Sequence, residues 1–157
     1  MSLRYSRAQI LLHWIVVLLV AAQFLFEDGI STAWRQLLEG NDPGPSLGAN
    51  AHVIAGIAVL VLAVLRILLR FTQGVPPLPK VEPRVLRLLA HVAHWALYAL
   101  LILLPLTGGL AWFLGVAAAA EVHEALKTLL LLLIVLHVGA ALYHQFILRD
   151  GLMSRMR

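Results

Sequence analysis

The chain contains no cysteine, and only 13% of its 157 residues are charged. The absence of cysteine excludes disulfides, iron–sulfur clusters, thiolate zinc sites and covalently attached haem of the c type. The scarcity of charge argues against a water-soluble domain, in which about a quarter of the residues are charged. Any cofactor must therefore be held non-covalently, and the seven histidines are the main supply of metal-binding side chains.

Long apolar runs make up most of the sequence, of which 61% is hydrophobic. A transmembrane helix needs roughly 20 mostly apolar residues, and runs of about that length lie at 8–26, 52–69, 86–114 and 122–148. The first run contains His13 and Gln23 and is too long for the core of a signal peptide, so we interpret it as a retained span. We predict an all-α fold, with residues 1–157 forming a single integral-membrane domain of four transmembrane helices.

The basic residues predict the orientation of the bundle. Ten of the twelve lie at the amino terminus, around the second connection or in the carboxy-terminal tail. The positive-inside rule places these segments in the cytoplasm, so both termini are expected there. The opposite face has only Arg35 and Lys127 as cations, together with six of the eight acids. This distribution indicates a lipid environment and disfavours nucleic acid as the partner.

Four histidines fall at matching depths in the predicted spans. His123 lies near the outer end of the fourth span, and His137 follows fourteen residues later, which is roughly 21 Å deeper and on nearly the same helix face. His52 opens the second span from the outer side and so matches His123. His13 lies thirteen residues before the outer end of the first span and so matches His137. Two histidine pairs are predicted, one near each membrane face.

Paired imidazoles in an apolar four-helix bundle favour two non-covalent haem b groups, stacked across the membrane, with His13, His137, His52 and His123 as iron ligands. Gly56 and Gly139 lie near these histidines and are expected either to leave space for a flat macrocycle or to serve helix packing. A di-iron site is disfavoured because the span interiors carry no carboxylate, and a zinc site because each level offers two ligands rather than three or four.

The remaining histidines are predicted to lie near the cytoplasmic boundary. His91, His94 and His144 occur there together with basic residues that include Lys80. Such a pocket could bind a quinone carbonyl and deliver protons, because histidine titrates near neutral pH. The alternative is that these side chains only meet water and lipid headgroups. His94 is also the most plausible substitute for one of the assigned iron ligands.

Several short motifs resemble the bacterial cytochrome b561 family, in an order that extends over nearly the whole chain. They are Tyr5-Ser6-Arg7-x-Gln9-Ile10-x-x-His13-Trp14, His52-x-x-x-Gly56, Arg66-x-x-x-Arg70, His91-x-x-His94 and the series His123, His137 and His144. The resemblance implies a multi-pass dihaem cytochrome of the bacterial inner membrane. It implies the same ligand pairs as the depth argument, and a quinone region near His144 and Lys80.

Some members of that family oxidise superoxide at the outer haem and reduce ubiquinone inside. We therefore expect electron transfer from a periplasmic donor to quinone, with superoxide as the favoured donor. Against superoxide, the first outer connection carries four acids and Arg35 alone as a cation. The alternative is a haem-binding membrane anchor that passes electrons between a partner dehydrogenase and quinone. A non-redox four-helix protein without haem remains a second class of function.

Overall fold

The computed structural model describes residues 4–76 and 84–156, and within these ranges all regular structure is helical. Five α-helices are followed by a π-helical turn, His144–Leu148, and a short 3₁₀-helix, Leu152–Met156. The α-helices are α1 (Arg7–Leu25), α2 (Asp28–Leu38), α3 (Leu47–Gln73), α4 (Arg84–Leu114) and α5 (Ala117–Tyr143). The prediction of an all-α protein with four membrane-spanning helices is confirmed, with α1, α3, α4 and α5 as the spans.

The ends of the helices follow local sequence signals. Ser6 caps α1 by accepting a hydrogen bond from the backbone of Gln9, whose side chain in turn accepts one from the Ser6 backbone. Ser46 caps α3 in the same way through the backbone of Ala49. Gly74 and Gly115 follow α3 and α4 with positive φ angles, which glycine adopts without strain.

The connection between α4 and α5 is tighter than the sequence predicts. It consists of residues 115–116, whereas the composition indicated a connection over 115–121. Helix α3 likewise begins at Leu47, five residues before the predicted span at 52–69. As a result His52 and His123 lie five and six residues into their helices rather than at the ends. Both move inward by nearly the same distance, so they remain at similar depth.

The spans form an antiparallel bundle with α1 packed on α3, α3 on α4 and α4 on α5. A core of small and aliphatic side chains joins all four: Val16, Val20, Val59, Ala63, Leu100, Leu101, Leu104 and Leu130. The first and last described segments share one end, where the Trp14 indole donates to the backbone carbonyl of Met156 at 3.3 Å. We call this the terminal end, and the opposite end, which carries α2 and the α4–α5 connection, the α2 end.

Large apolar side chains cover the outside of the bundle. Leu18, Ile54 and Val135 are 69%, 67% and 61% exposed, although each lies within a span. A continuous apolar exterior of this kind is stable only against lipid. The chain is therefore a multi-pass membrane protein.

Helix α2 packs against the start of α3. It lies in the connection between the first two predicted spans and runs from Asp28 to Leu38. Gly29 and Gly48 lie so close that a Cβ at position 29 would come within 2.7 Å of the Gly48 Cα. This close crossing of two backbones holds α2 over the end of the bundle.

Candidate functional site

A large cavity of about 470 Å³ opens at the α2 end. Its size is typical of cofactor and small-molecule sites. Side chains from all five α-helices line it, mostly apolar ones, with His52 from α3 and His123 from α5 as its imidazoles. Trp34 and Trp112 also line the cavity, so two of the four tryptophans lie at this site.

His123 is held with one ring nitrogen engaged and the other available. Its Nδ1 lies 2.9 Å from the carbonyl oxygen of Leu104 on α4 and 3.4 Å from the Thr107 hydroxyl. A carbonyl oxygen can only accept, so Nδ1 carries the proton and donates it to Leu104. In the neutral ring this tautomer leaves the Nε2 lone pair available. An imidazole oriented in this way by a backbone carbonyl is typical of a histidine that binds a metal.

Gly108 allows this close approach of His123 to α4. A Cβ at position 108 would lie 3.1 Å from both Cε1 and Nδ1 of the His123 ring. Any side chain there would push the ring away from its carbonyl partner. The sequence singled out Gly56 and Gly139 instead. Gly56 lines the cavity, and Gly139 is exposed with open space at its Cβ position, so no described residue packs closely against it.

His52 has a buried nitrogen without a partner. Its Nδ1 forms no hydrogen bond with any residue that the structure describes. Its backbone carbonyl accepts a hydrogen bond at 3.0 Å from the Gln23 side chain, which ties α1 to α3 at this level. An unpaired polar group in an apolar cavity is costly, so a ligand that engages the imidazole would stabilise it. Two imidazoles from separate helices in one apolar cavity fit a haem held by two axial histidines.

The mouth of this cavity is acidic. Among the described residues that line it, three are carboxylates, Glu27, Glu121 and Glu124, and Lys127 is the single Lys or Arg. The Lys127 ammonium lies 3.0 Å from Glu27 and 2.7 Å from Glu124. The ion pair with Glu27 joins α5 to the start of α2. The lysine is thus neutralised by its neighbours, and the mouth retains an excess of negative charge.

A second histidine cluster lies toward the terminal end. His94 of α4 and His137 of α5 meet edge to face with ring centroids 5.3 Å apart. His13 of α1 lies within electrostatic range of both. The His94 Nδ1 is 2.6 Å from the carbonyl of Ala90, one turn earlier, and donates to it. The structure therefore places His94 and His137 in contact, with His13 nearby.

Arg66 from α3 completes this cluster, and the sequence analysis did not assign it a role. Its Nη2 donates to Nδ1 of His13 at 3.0 Å, and its guanidinium lies 5.4 Å from the centre of the Tyr98 ring. A charged residue inside a span is by itself a signal of function, and that signal could have identified Arg66. The same holds for Gln23 in α1, whose amide is a strong polar group in an apolar run.

The histidines of both clusters belong to pairs or mixed groups rather than to multidentate sites. Within residues 4–76 and 84–156, no group of three or more His, Asp or Glu side chains has the arrangement of a metal-ion site. These imidazoles would suit a haem, whose macrocycle supplies most of the iron ligands itself.

The four predicted quinone residues fall in different surroundings. His144 opens the π-helical turn, and its Nδ1 lies 2.6 Å from a carboxylate oxygen of Asp150. His91 is exposed and donates to the carbonyl of Arg87 at 3.1 Å. His94 lies in the histidine cluster, in contact with His137. Lys80 lies outside the described residues.

Asp150 is ionised over the physiological pH range. Burial raises the pKa of its carboxyl, but hydrogen bonds from His144 and from the backbone N–H of Leu152 outweigh this, and the pKa is lower than its usual value. The carboxylate thus orients the His144 ring at the terminal end. A smaller cavity of about 240 Å³ lies at the same end, bounded by the start of α1 and the end of α3, with Tyr5 and Gln9 among its lining.

Comparison with known proteins gives a consistent assignment. A family model described as prokaryotic cytochrome b561 matches residues 4–157. The chain is 36% identical to cytochrome b562 of Cereibacter sphaeroides, covering 97% of this chain and 94% of that protein. It is 31% identical to cytochrome b561 homolog 1 of Escherichia coli, covering 98% and 96%. It is 35% identical to a probable superoxide oxidase, CybB, of Yersinia pestis, covering 99% and 97%.

These matches span almost the full length of both partners in each comparison, and they agree with four apolar helices that carry histidines in their interiors. The predicted family is confirmed. The chain belongs to the prokaryotic cytochrome b561 family of membrane cytochromes, which bind haem b and transfer electrons.

Proposed function

We propose that the chain holds two haem b groups and carries electrons from a donor at the α2 end to quinone at the terminal end. The observation that carries the proposal is the division of the interior histidines into two groups at different depths. His52 and His123 line one cavity, and His13, His94 and His137 cluster toward the other end. Bound haem b supplies reversible one-electron transfer at iron.

At the α2 end, His52 and His123 would hold the haem iron. Leu104 fixes the tautomer of His123 through Nδ1, which leaves Nε2 unprotonated for iron. Thr107 and Gly108 position the same ring from α4. A haem held by two imidazoles would supply electron transfer rather than oxygen binding.

At the terminal end, His13 and His137 would be the ligands. They come from α1 and α5 and lie within electrostatic range of each other, and His137 lies fourteen residues from His123 on one helix. His94 contacts His137 and already donates its Nδ1 proton to a carbonyl, so it remains the alternative ligand. Loss of haem from single variants distinguishes the two assignments.

The terminal end is proposed to face the cytoplasm of a bacterial inner membrane. The charge distribution supports this orientation, because most basic residues lie at this end and most acids at the other. His144, oriented by Asp150, would donate or accept protons as quinone is reduced there. His91 is exposed, so we assign it no part in the transfer.

Superoxide is the proposed donor, on the strength of the 35% identity to the probable superoxide oxidase of Yersinia pestis. A second candidate is a partner redox protein, with the chain acting as its membrane anchor. The acidic mouth favours this second candidate, because Glu27, Glu121 and Glu124 repel an anion and would attract a basic protein. The two donors respond oppositely to removal of Lys127.

The haem assignment is tested by difference spectra and haem content of the purified protein. We expect sharp b-type bands after reduction with dithionite and two haems per chain. Changing His13 or His137 to Ala should remove one haem, and changing His52 or His123 should remove the other. His91→Ala is the matched control and should retain both. A preparation that stays colourless after reconstitution with haem would refute the proposal, and retention of both haems in H13A with loss in H94A would reassign the ligand.

The donor is tested by adding superoxide, and then quinol, to the purified protein under anaerobic conditions while haem reduction is followed. Stoichiometric reduction of quinone driven by superoxide would support superoxide as the donor. Absence of that reaction, together with reduction by a basic protein carrier, would favour the anchor function.

A further inference from the structure

Arg66 is a charged group inside a span without an anionic partner. It lies seven residues before the end of α3, roughly 10 Å from the helix end. Its guanidinium contacts the His13 imidazole and the ring of Tyr98. No Asp or Glu in the described ranges forms an ion pair with it. A cation in this position is costly unless an anion compensates it.

The contact between Arg66 and His13 is incompatible with iron binding through Nε2 of His13. A metal-bound imidazole carries its proton on the other nitrogen, so Nδ1 of His13 would become a donor. The guanidinium has five donors and no acceptor. Two donors cannot form a hydrogen bond, so Arg66 must exchange His13 for another acceptor when His13 binds iron.

Arg70 lies one turn further along α3 toward the terminal end. Its guanidinium is 5.3 Å from the centre of the Trp95 ring, so an aromatic face holds it in place. It too has no carboxylate partner among the residues described, where Asp150 is the single acid at this end and binds His144. Two arginines one turn apart thus lie on α3 between the level of His13 and the end of the helix.

We propose that Arg66, assisted by Arg70, binds the propionate carboxylates of the haem at the terminal end. This rests on the proposed function, in which His13 and His137 hold that haem. Haem b brings two carboxylates, which supply the acceptors that Arg66 loses when His13 changes partner. A guanidinium binds a carboxylate through two parallel hydrogen bonds, so the pairing also fixes the macrocycle in rotation about its axis.

The test compares Arg66→Gln and Arg66→Lys with wild type, with each protein loaded with either haem b or its dimethyl ester. The ester lacks both carboxylates and otherwise has the same shape. Apoprotein from haem-starved cells is reconstituted, and transfer of porphyrin to excess apomyoglobin is timed. The phase of porphyrin transfer that H137A lacks is assigned to the terminal-end haem, because His137 would hold that haem. Arg84→Gln, which removes an exposed cation from the same end, is the matched control.

With haem b, we expect R66Q to lose this group about 10- to 100-fold faster than wild type, as for a charge-assisted hydrogen bond. R66K should restore part of the difference and R84Q should match wild type. The wild-type protein should already lose the ester faster than it loses haem b. The R66Q substitution should increase the rate of ester loss by less than about twofold. Equal loss of the two porphyrins from wild type, or an equal effect of R66Q on both, would overturn the inference.

The outcome separates this inference from the proposed function on which it rests. A wild-type protein that binds fewer than two haems contradicts the proposed function. A wild-type protein that binds two haems and loses haem b and the ester at the same rate contradicts only the role of Arg66. The comparison of haem b with its ester in the wild-type protein still tests the inference if R66Q fails to fold.

Discussion

The substitution Gly108→Ala tests how the α2-end site is built. The added Cβ would lie 3.1 Å from two atoms of the His123 ring, whereas ordinary contacts begin at 3.4 Å. The ring must withdraw by a few tenths of an ångström. Leu104, which accepts the His123 proton at 2.9 Å, is on the same helix as Gly108, so withdrawal lengthens that hydrogen bond too.

The expected loss follows from that hydrogen bond. A weakened bond of this kind costs about 1 kcal/mol, which is roughly fivefold in affinity. Loss of orientation of a metal ligand costs about 10- to 100-fold. Haem affinity at the α2 end should therefore fall by between about fivefold and about 100-fold. The fold itself should not suffer, since Ala is better than Gly by about 1 kcal/mol inside a helix.

The assay is haem content per chain, together with the rate of haem transfer to apomyoglobin, beside thermal unfolding of the same samples. Gly139→Ala is the matched control, because position 139 is also inside a spanning helix and nothing lies within 4 Å of its Cβ position. G139A should behave as wild type in haem content. If G108A keeps both haems and releases them at the wild-type rate, His123 is not positioned by α4 as described.

Three further changes have defined outcomes. Gly29→Ala places a Cβ 2.7 Å from the Gly48 backbone, so α2 should separate from α3 at a cost of about 1–3 kcal/mol. Hydrogen exchange should become faster in α2 and stay unchanged in α5. Lys127→Met makes the cavity mouth more acidic, so stopped-flow reduction by superoxide should slow several-fold at low salt; faster reduction would contradict an anionic donor. The pKa of Asp150 lies below its ordinary value of 3.8. The carboxylate therefore stabilises the C-terminal turn fully above pH 3.8, and this stabilisation is lost as the pH falls through the lower pKa of the folded protein. Exchange at the Leu152 amide should show this loss in wild type, and Asp150→Asn should abolish the pH dependence.

The fold could be predicted from the sequence because a lipid-embedded helix must be long and apolar. Four runs satisfied that condition, and all four are helices in the structure. The residues at which the helices begin and end were less certain. Ala117 to Glu121 were assigned to a connection, yet they form the first turn of α5, since alanine is the strongest helix former.

The candidate site could be predicted only at the level of depth. Residue counting placed His52 with His123 and His13 with His137, because helix rise is constant. It could not show that His94 faces His137, since that depends on the rotation of α4 about its axis. It also did not single out Gly108, which contacts His123. Sequence proximity to a histidine was the criterion, whereas the contact that matters is between helices.

The two ends of the bundle differ in charge in a way that bears on the direction of electron flow. Carboxylates surround the cavity that His52 and His123 line, while the cluster containing His13 and His137 has Arg66 beside it. A nearby cation stabilises the reduced, more negative state of a redox centre, and nearby carboxylates destabilise it. With a centre at each level as proposed, the terminal end would have the higher reduction potential. The fixed charges of the protein would then favour electron movement from the α2 end to the terminal end, which is the direction that reduction of quinone there requires.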